Sequence, residues 1–549
     1  MELLTLFANA PVFTTAAMID LAIFIGFIIA VVAIGIGMSR GTEGSESYFL
    51  AGRGLGWWLI GFSLIAANIS TEQFVGMSGS AANYVGLAIA SYEWMAAVTL
   101  IIVGFIFLPQ FLKAGIYTIP EFLEKRYNRF SRTFMSLIMM ITFVTVNTTA
   151  VIYSGAKVYS TFFDNQTYFG IPLDIVTFSW LIGILAATYV FFGGLKACAW
   201  ADLLQGSALI LGGAIVLVFA MNALGNADSK TIDNAVQTIA VQSGTEISET
   251  EVAKIKDSSS GYERFGVLNA HKLRMNLPWN DGVLPITALM LGLWIPNLYY
   301  WGLNQYIMQR TLGSRSLAEG QKGIVFAAFM KLIIPFIVVF PGLIAFNLFS
   351  GDMRVSASAK ENNGVVLEKF ESVKDDPTGQ RLPPQKTITY WFFWVKTNPD
   401  SQRSAFPFDA DFAKIEQNKA TEIVLYNAAV AQIKSDPISD YKLLLEQNKQ
   451  ILAEIAKKNA TLPKEDKIIV EKQLMGYDYD AAFPLLMSKL VPAGGFRGFM
   501  LAAMLGAVIS SLASMLNAAS TIFTMDLYKE YLHRGAGDKT VVLVGRSCV

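Results

Sequence analysis

The sequence predicts an all-α polytopic membrane protein in which two membrane helices are broken by polar residues. Three observations carry this. Hydrophobic residues make up 53% of the 549 and charged residues only 16%, with mean hydropathy +0.44, which is too apolar for a soluble chain of this length. Lys and Arg return in every second short loop between apolar windows, as in cytoplasmic loops. Finally, two otherwise apolar segments carry polar centres. One is Asn68-Ile69-Ser70-Thr71-Glu72-Gln73; the other runs from Trp294 to Gln305 and contains Pro296, Asn297, Gly302 and Asn304.

The same composition excludes several functions. The 43 basic residues balance 43 acidic ones, so no basic field argues for nucleic acid. Cys198 and Cys548 cannot form a disulfide framework, and His271 and His533 leave no zinc cluster. Gly52-Arg-Gly-Leu-Gly56 lacks the strand-turn-helix context of a nucleotide site, and there is no phosphate-binding loop of the GxxxxGK[ST] type. Nothing here supports an enzyme or a nucleotide-driven pump. Met1 to Pro11 has no basic n-region and leads into a full-length apolar stretch, so the first helix reads as uncleaved.

Windows of roughly 20 apolar residues fall near 16–39, 57–82, 85–110, 133–161, 171–192, 197–224, 283–306, 323–349 and 484–527. Arg40 and Arg53 follow the first, Lys113 to Arg132 the third, Lys196 the fifth, and Arg310, Arg315 and Lys322 the seventh. The loops after the second and fourth contain no Lys or Arg. The expectation is a multi-pass inner-membrane protein with its N-terminus outside. Two polar segments, 226–280 and 351–483, then fall on the outer side as a loop and an extracytoplasmic insertion. Within the insertion, Ala413 to Lys472 reads as a charged helical hairpin, broken at Asp436-Pro437 and Leu462-Pro463. Its mixed charge suits a solvated outer vestibule better than a partner surface.

Lipid does not solvate the polar centres. A carboxylate at mid-membrane costs about 2.5–3.5 kcal/mol, so Glu72 belongs to a bundle interior or a polar pathway. Gly76, Gly79 and Asn83 weaken that helix further. Two broken helices at corresponding places in two halves, 57–224 and the segment starting at 283–349, are the mark of a secondary transporter, whose ion and substrate bind at the breaks. The region 1–349 holds the first half and the start of the second, and 484–549 supplies one more membrane helix of the second.

The text of these segments resembles the sodium:solute symporter family, and within it the bacterial sodium/glucose or sodium/galactose cotransporters. The matching stretches are SLIAANISTEQFVGMSGS at 63–80, AIASYEWM at 88–95, GIYTIPEF at 115–122, NLYYWG at 297–302, QKGIVFAAF at 321–329 and SSLASMLN at 510–517. The resemblance covers nearly all the membrane portion but not 351–483. It implies the leucine-transporter-type inverted-repeat fold with the second repeat incomplete, so the chain is expected to be a C-terminally truncated member.

The resemblance also implies residue roles. Sodium, the coupling ion, would sit between the first broken helix and the helix of 484–527, on the carbonyls of Ala66, Ile69 and Ala507 and the hydroxyls of Ser510 and Ser511. A hard monovalent cation takes about five oxygens, by extension from other hard cations. On the residues alone, the two serines could equally bond their own helix backbone. Gln73, Glu93, Asn297 and Lys331 would hold sugar hydroxyls. Lys331 could instead snorkel, or merely pair with Glu93. Tyr300 would be an inner gate held by Asn68, with Trp301 beside it and Met77 and Tyr92 on the outer side. Ordinary packing is the competing reading of these aromatics. Asp202 matches an aspartate on the sodium exit route, or is a helix-end acid facing water. Ala96 stands where the family's sugar transporters usually have Ser. The expected partners are a small sugar, sodium and membrane lipid. Another solute (a cyclitol, sialic acid or an amino acid) and a non-transporting sensor or remnant are the alternatives.

Overall fold

A computed structural model describes residues 15–38, 44–163, 171–243, 247–279, 283–358 and 479–549, with a few isolated positions between them. Most of the insertion lies outside the described residues, including the hairpin expected over Ala413 to Lys472.

The first helix, α1 (Thr15–Met38), carries one charge, Asp20, in 24 residues. The second window divides into α2 (Trp57–Asn68), a wide-turned stretch Glu72–Met77, and α3 (Ser78–Ala82). Between them Ile69 is extended, at φ −83 and ψ 109. Local side chains stabilise this break by taking up backbone donors that the helix no longer satisfies. Gln73 Oε1 accepts from Ser70 N at 2.8 Å, and Ser70 Oγ accepts from Glu72 N at 3.1 Å. The next span includes α4 (Ser91–Ile102), and α5 (Arg129–Thr142) begins the fourth. The fifth and sixth windows form one kinked helix, α6 (Ile175–Gly225), bent at Gly194, whose φ of 53 suits only glycine.

The second broken helix consists of α7 (Trp294–Gly302) and α8 (Gln305–Leu312). Its break lies at Leu303-Asn304, near the end of the polar stretch Trp294 to Gln305. Pro296 does not break the chain here: the wide-turned stretch Ala288–Gly292 runs into α7 through Leu293, which keeps helical angles. Asn304 is extended, at φ −77 and ψ 122, and its side chain caps α8 by accepting from Tyr306 N at 3.3 Å. Both breaks thus use an extended residue and a polar side chain that caps the helix beyond. The helix α9 (Leu317–Ser358) carries Lys331, and α10 (Phe496–Ile522) carries Ser510 and Ser511.

Six helices among the described residues are long and apolar enough to cross a membrane, and each half of a broken helix is shorter. Loops rich in Lys and Arg meet at one end: Leu55 N donates to Gly313 O at 3.1 Å and Arg53 Nη2 to Ile116 O at 3.2 Å. Two basic residues assigned to those loops are instead buried. Arg132, on α5, pairs with Asp526 at 2.7 Å, and Arg310, on α8, is 1% exposed. At the opposite end the segment 226–280 is not a loop. It forms helices Ser229–Ser243, Glu249–Asp257 and Gly261–Asn269, which bury Ile232, Ile255, Phe265 and Leu268. A reciprocal Ser248–Glu251 cap starts the second of these.

Candidate substrate and ion site

A cavity of about 590 Å³ lies where the two broken helices face each other, within the usual range for small-molecule sites. Gln73, Glu93 and Asn297 line it, together with Asn68, Met77, Tyr92, Ala96, Tyr300 and Trp301. Each polar group arrives with part of its capacity spent. Gln73 uses its carbonyl on the Ser70 cap, which leaves its amide nitrogen for the cavity. Asn297 donates back to Leu293 O at 2.9 Å, so its carbonyl oxygen remains.

Lys331 does not line the cavity. It is fully buried, and its ammonium donates to both Glu93 and Asn68 Oδ1 and lies 5.0 Å from the centre of the Trp301 ring. The snorkelling alternative therefore fails, because Lys331 reaches across to α4 and α2 instead of along its own helix. Through Glu93 and Asn68 it supports the wall from behind. Asn68 completes the layer by donating from Nδ2 to Tyr300 Oη at 2.9 Å, and Tyr300 in turn shares a hydrogen bond with Tyr306. Trp301 is 2% exposed and packs edge-on against Tyr300 at 5.1 Å, so most of its surface serves packing.

Beside the first break, Ala66, Ile69 and Ala507 are each 1% exposed. Neither serine bonds its own helix through its hydroxyl. Ser511 Oγ donates to Ala67 O at 3.0 Å, and Ser510 Oγ donates to Asp202 Oδ1 at 2.5 Å. The partner carbonyl of Ser511 is thus Ala67, between Ala66 on α2 and Ile69 at the break. One hydroxyl of α10 therefore reaches the backbone beside the first break, and the other is turned to the Asp202 carboxylate.

Asp202 is not a helix-end acid in water. It is fully buried and accepts from Ser63 at 2.5 Å, from Ser510, and from Arg310 at 3.3 Å. Arg310 also donates to Ser63 at 2.6 Å, to Ser514 and to the Tyr306 carbonyl. Sequence reasoning misses this network because Arg310 counts there as a loop charge. The available signal is its place within one turn of apolar residues after the second break. Asp526 escapes for a similar reason: it is buried and held by Thr118 and Arg132 at 2.8 Å each.

The model of the sodium:solute symporter family matches residues 48–368 and 464–549. The chain belongs to the sodium:solute symporter family. Among its relatives, a sodium/glucose cotransporter of Vibrio parahaemolyticus is 35% identical over 534 residues, 96% of this chain and 72% of that protein. Sodium/glucose cotransporter 1 of Ovis aries is 26% identical over 96% of this chain and 60% of its own length. The chain therefore spans less than two thirds of the sheep protein. A solved Na+-coupled sialic acid symporter, in a substrate-bound outward-open state, superposes with TM-score 0.60 at 18% identity, covering 96% of this chain and 78% of that one. This likeness shows the fold, a leucine-transporter-type inverted-repeat arrangement of helices. The family comprises transporters and not enzymes, its coupling ion is sodium, and this chain is a multi-pass membrane protein.

Proposed function

We propose that this chain carries out sodium-coupled symport of a neutral hexose, glucose- or galactose-like, by alternating access. The observation that carries this reading is the cavity between the two helix breaks, with Gln73, Glu93 and Asn297 on its wall and Lys331 holding Glu93 and Asn68 from behind. Amides and a carboxylate beside aromatic faces can exchange with water at several sugar hydroxyls. Charge supports a neutral solute over sialic acid or an amino acid. The ionisable groups at the cavity are Glu72, Glu93 and the lysine already paired to Glu93, so no surplus positive charge is present to bind a carboxylate. Ala96 on the wall offers no hydroxyl, which favours a hexose that needs one contact fewer there.

Sodium binds on Ala66, Ile69, Ala507, Ser510 and Ser511, and Asp202 lies on its way inward. Tyr300, held by Asn68 and flanked by Trp301, closes the inner side, and Met77 and Tyr92 stand on the outer side. The protein sits in the inner membrane with its N-terminus outside, and the insertion assigned to 351–483 falls on the outer side, although its first residues continue α9 to Ser358 and its last, Ala482 and Phe483, are buried in the bundle. One sodium, moved through 100 mV at about 2.3 kcal/mol per charge and down a tenfold gradient at about 1.4 kcal/mol, sustains roughly a 500-fold sugar gradient.

The test is hexose uptake and counterflow by the complete protein in liposomes, with and without sodium. Sodium-dependent glucose or galactose exchange, competed poorly by sialic acid and amino acids, is expected. Binding without exchange identifies a sensor, and uptake of a carboxylated solute in preference to hexoses refutes the neutral-sugar reading.

A further inference from the structure

We propose that Asp20, the single charge of α1, is a positioning residue for the sodium site, acting through the helix that bears Ser510 and Ser511. The inference rests on the sodium assignment above.

The N-terminus of α10 begins at Gly495, which has no side chain with which to cap its own helix. The first N–H groups of a helix need acceptors, from a capping side chain or from water. Asp20 supplies them from another helix. Its Oδ2 accepts from Gly494 N at 3.1 Å, and its Oδ1 accepts from Gly495 N at 2.7 Å and Gly498 N at 2.9 Å. The carboxylate is 8% exposed, and it lies against the positive end of the helix dipole. Close backbone approach reinforces the contact: a Cβ added at Gly498 would come within 2.5 Å of Asp20 Cα.

The seam continues toward the ion site. Two turns further along α10, a Cβ at Gly506 would meet Phe27 of α1 at 3.3 Å and Gln205 of α6 at 2.9 Å. The next residue is Ala507, one of the proposed sodium carbonyls, with Ser510 and Ser511 one turn beyond. From Gly498 to Ser510 the helix runs about 18 Å at 1.5 Å per residue. A cap that fixes one end of α10 and a close fit at Gly506 together set its axial position against α1 and α6, and α6 in turn fits closely on α2, where a Cβ at Gly206 would meet Ala66 at 2.9 Å. The reach of Ser511 to the backbone of α2 depends on that position.

The experiment compares wild type with Asp20→Ala, Asp20→Asn and Ser511→Ala in liposomes, measuring sodium for half-maximal uptake, maximal rate per folded protein, and sugar affinity at saturating sodium. Asp20→Ala is expected to raise the sodium requirement about fivefold or more, with sugar affinity at saturating sodium kept. Asp20→Asn, which retains one oxygen acceptor, is expected to fall between it and wild type, and it carries the test if the alanine variant does not fold. A normal sodium requirement in folded Asp20 variants, when Ser511→Ala shifts it, overturns the positioning role. No shift in Ser511→Ala overturns the sodium assignment instead. A merely structural role would lower the yield of folded protein and leave the sodium requirement unmoved.

Discussion

Replacing Lys331 by Met removes the ammonium that holds Glu93 and Asn68 while keeping most of the side-chain volume in α9. Glu93 is 5% exposed, so its carboxylate loses its counter-charge in a poorly solvated place. Breaking a buried pair by removing one partner costs about 3–5 kcal/mol when both groups are dry. Here Glu93 borders the cavity, and water entering it offsets part of that loss. The part that falls on solute binding is sized by one polar group left without its partner, about 1–3 kcal/mol, or roughly a 5- to 150-fold loss of hexose affinity. Sodium affinity measured without sugar should change little, since the ammonium touches neither Ser510 nor Ser511. Adding Glu93→Gln to Lys331→Met removes the unpaired charge, so the double variant should be more stable than Lys331→Met alone, and its effects less than additive. The assay is calorimetric or fluorescence titration with glucose and galactose at saturating sodium, then with sodium alone. Normal hexose binding in both Lys331→Met and Gln73→Ala would refute the sugar-site assignment. Loss of sodium binding alone would show that these residues hold the helix break.

Ser511→Ala should raise the sodium concentration needed for uptake without loss of membrane insertion, and unchanged sodium activation in the Ser510→Ala/Ser511→Ala double variant would remove both serines from the site. A cysteine placed at Ser401, which lies outside the described residues, should react with an impermeant thiol reagent in intact cells; labelling only after lysis would reverse the orientation. In the outer helical segment, burial first, then Lys272 and Arg274, push the imidazole of His271 down to about 4 from 6.5. The folded state therefore resists protonation that the unfolded chain accepts, so this contribution to stability is present above 6.5 and lost as pH falls toward 4. Thermal unfolding between these pH values should steepen accordingly, and a His271→Gln variant with the same acid limb as wild type would contradict it.

The sequence by itself determined the membrane class, the alternation of basic and uncharged loops, and the existence of two polar breaks, because each is a local property of composition or spacing. The first break is legible even in its parts: Ser70 and Gln73 lie within one turn of each other and cap the wide-turned stretch beyond. The second break falls within the polar stretch Trp294 to Gln305, and which of its residues makes the break was decided by the fold: the Asn304 cap starts the new helix and Pro296 does not. Which charges are buried was decided only by the tertiary structure. Arg310 and Arg132 look like loop cations until α6 and the wide-turned stretch Phe523–Leu532 after α10 bring Asp202 and Asp526 against them from 108 and 394 residues away. The same holds for Lys331, which spacing alone leaves free to snorkel, and for Asp20, whose three partners lie at the far end of the chain. A carboxylate or ammonium in an apolar helix must find a counterpart, and sequence shows that need. The partner is set by how the helices pack, which brings together residues hundreds of positions apart.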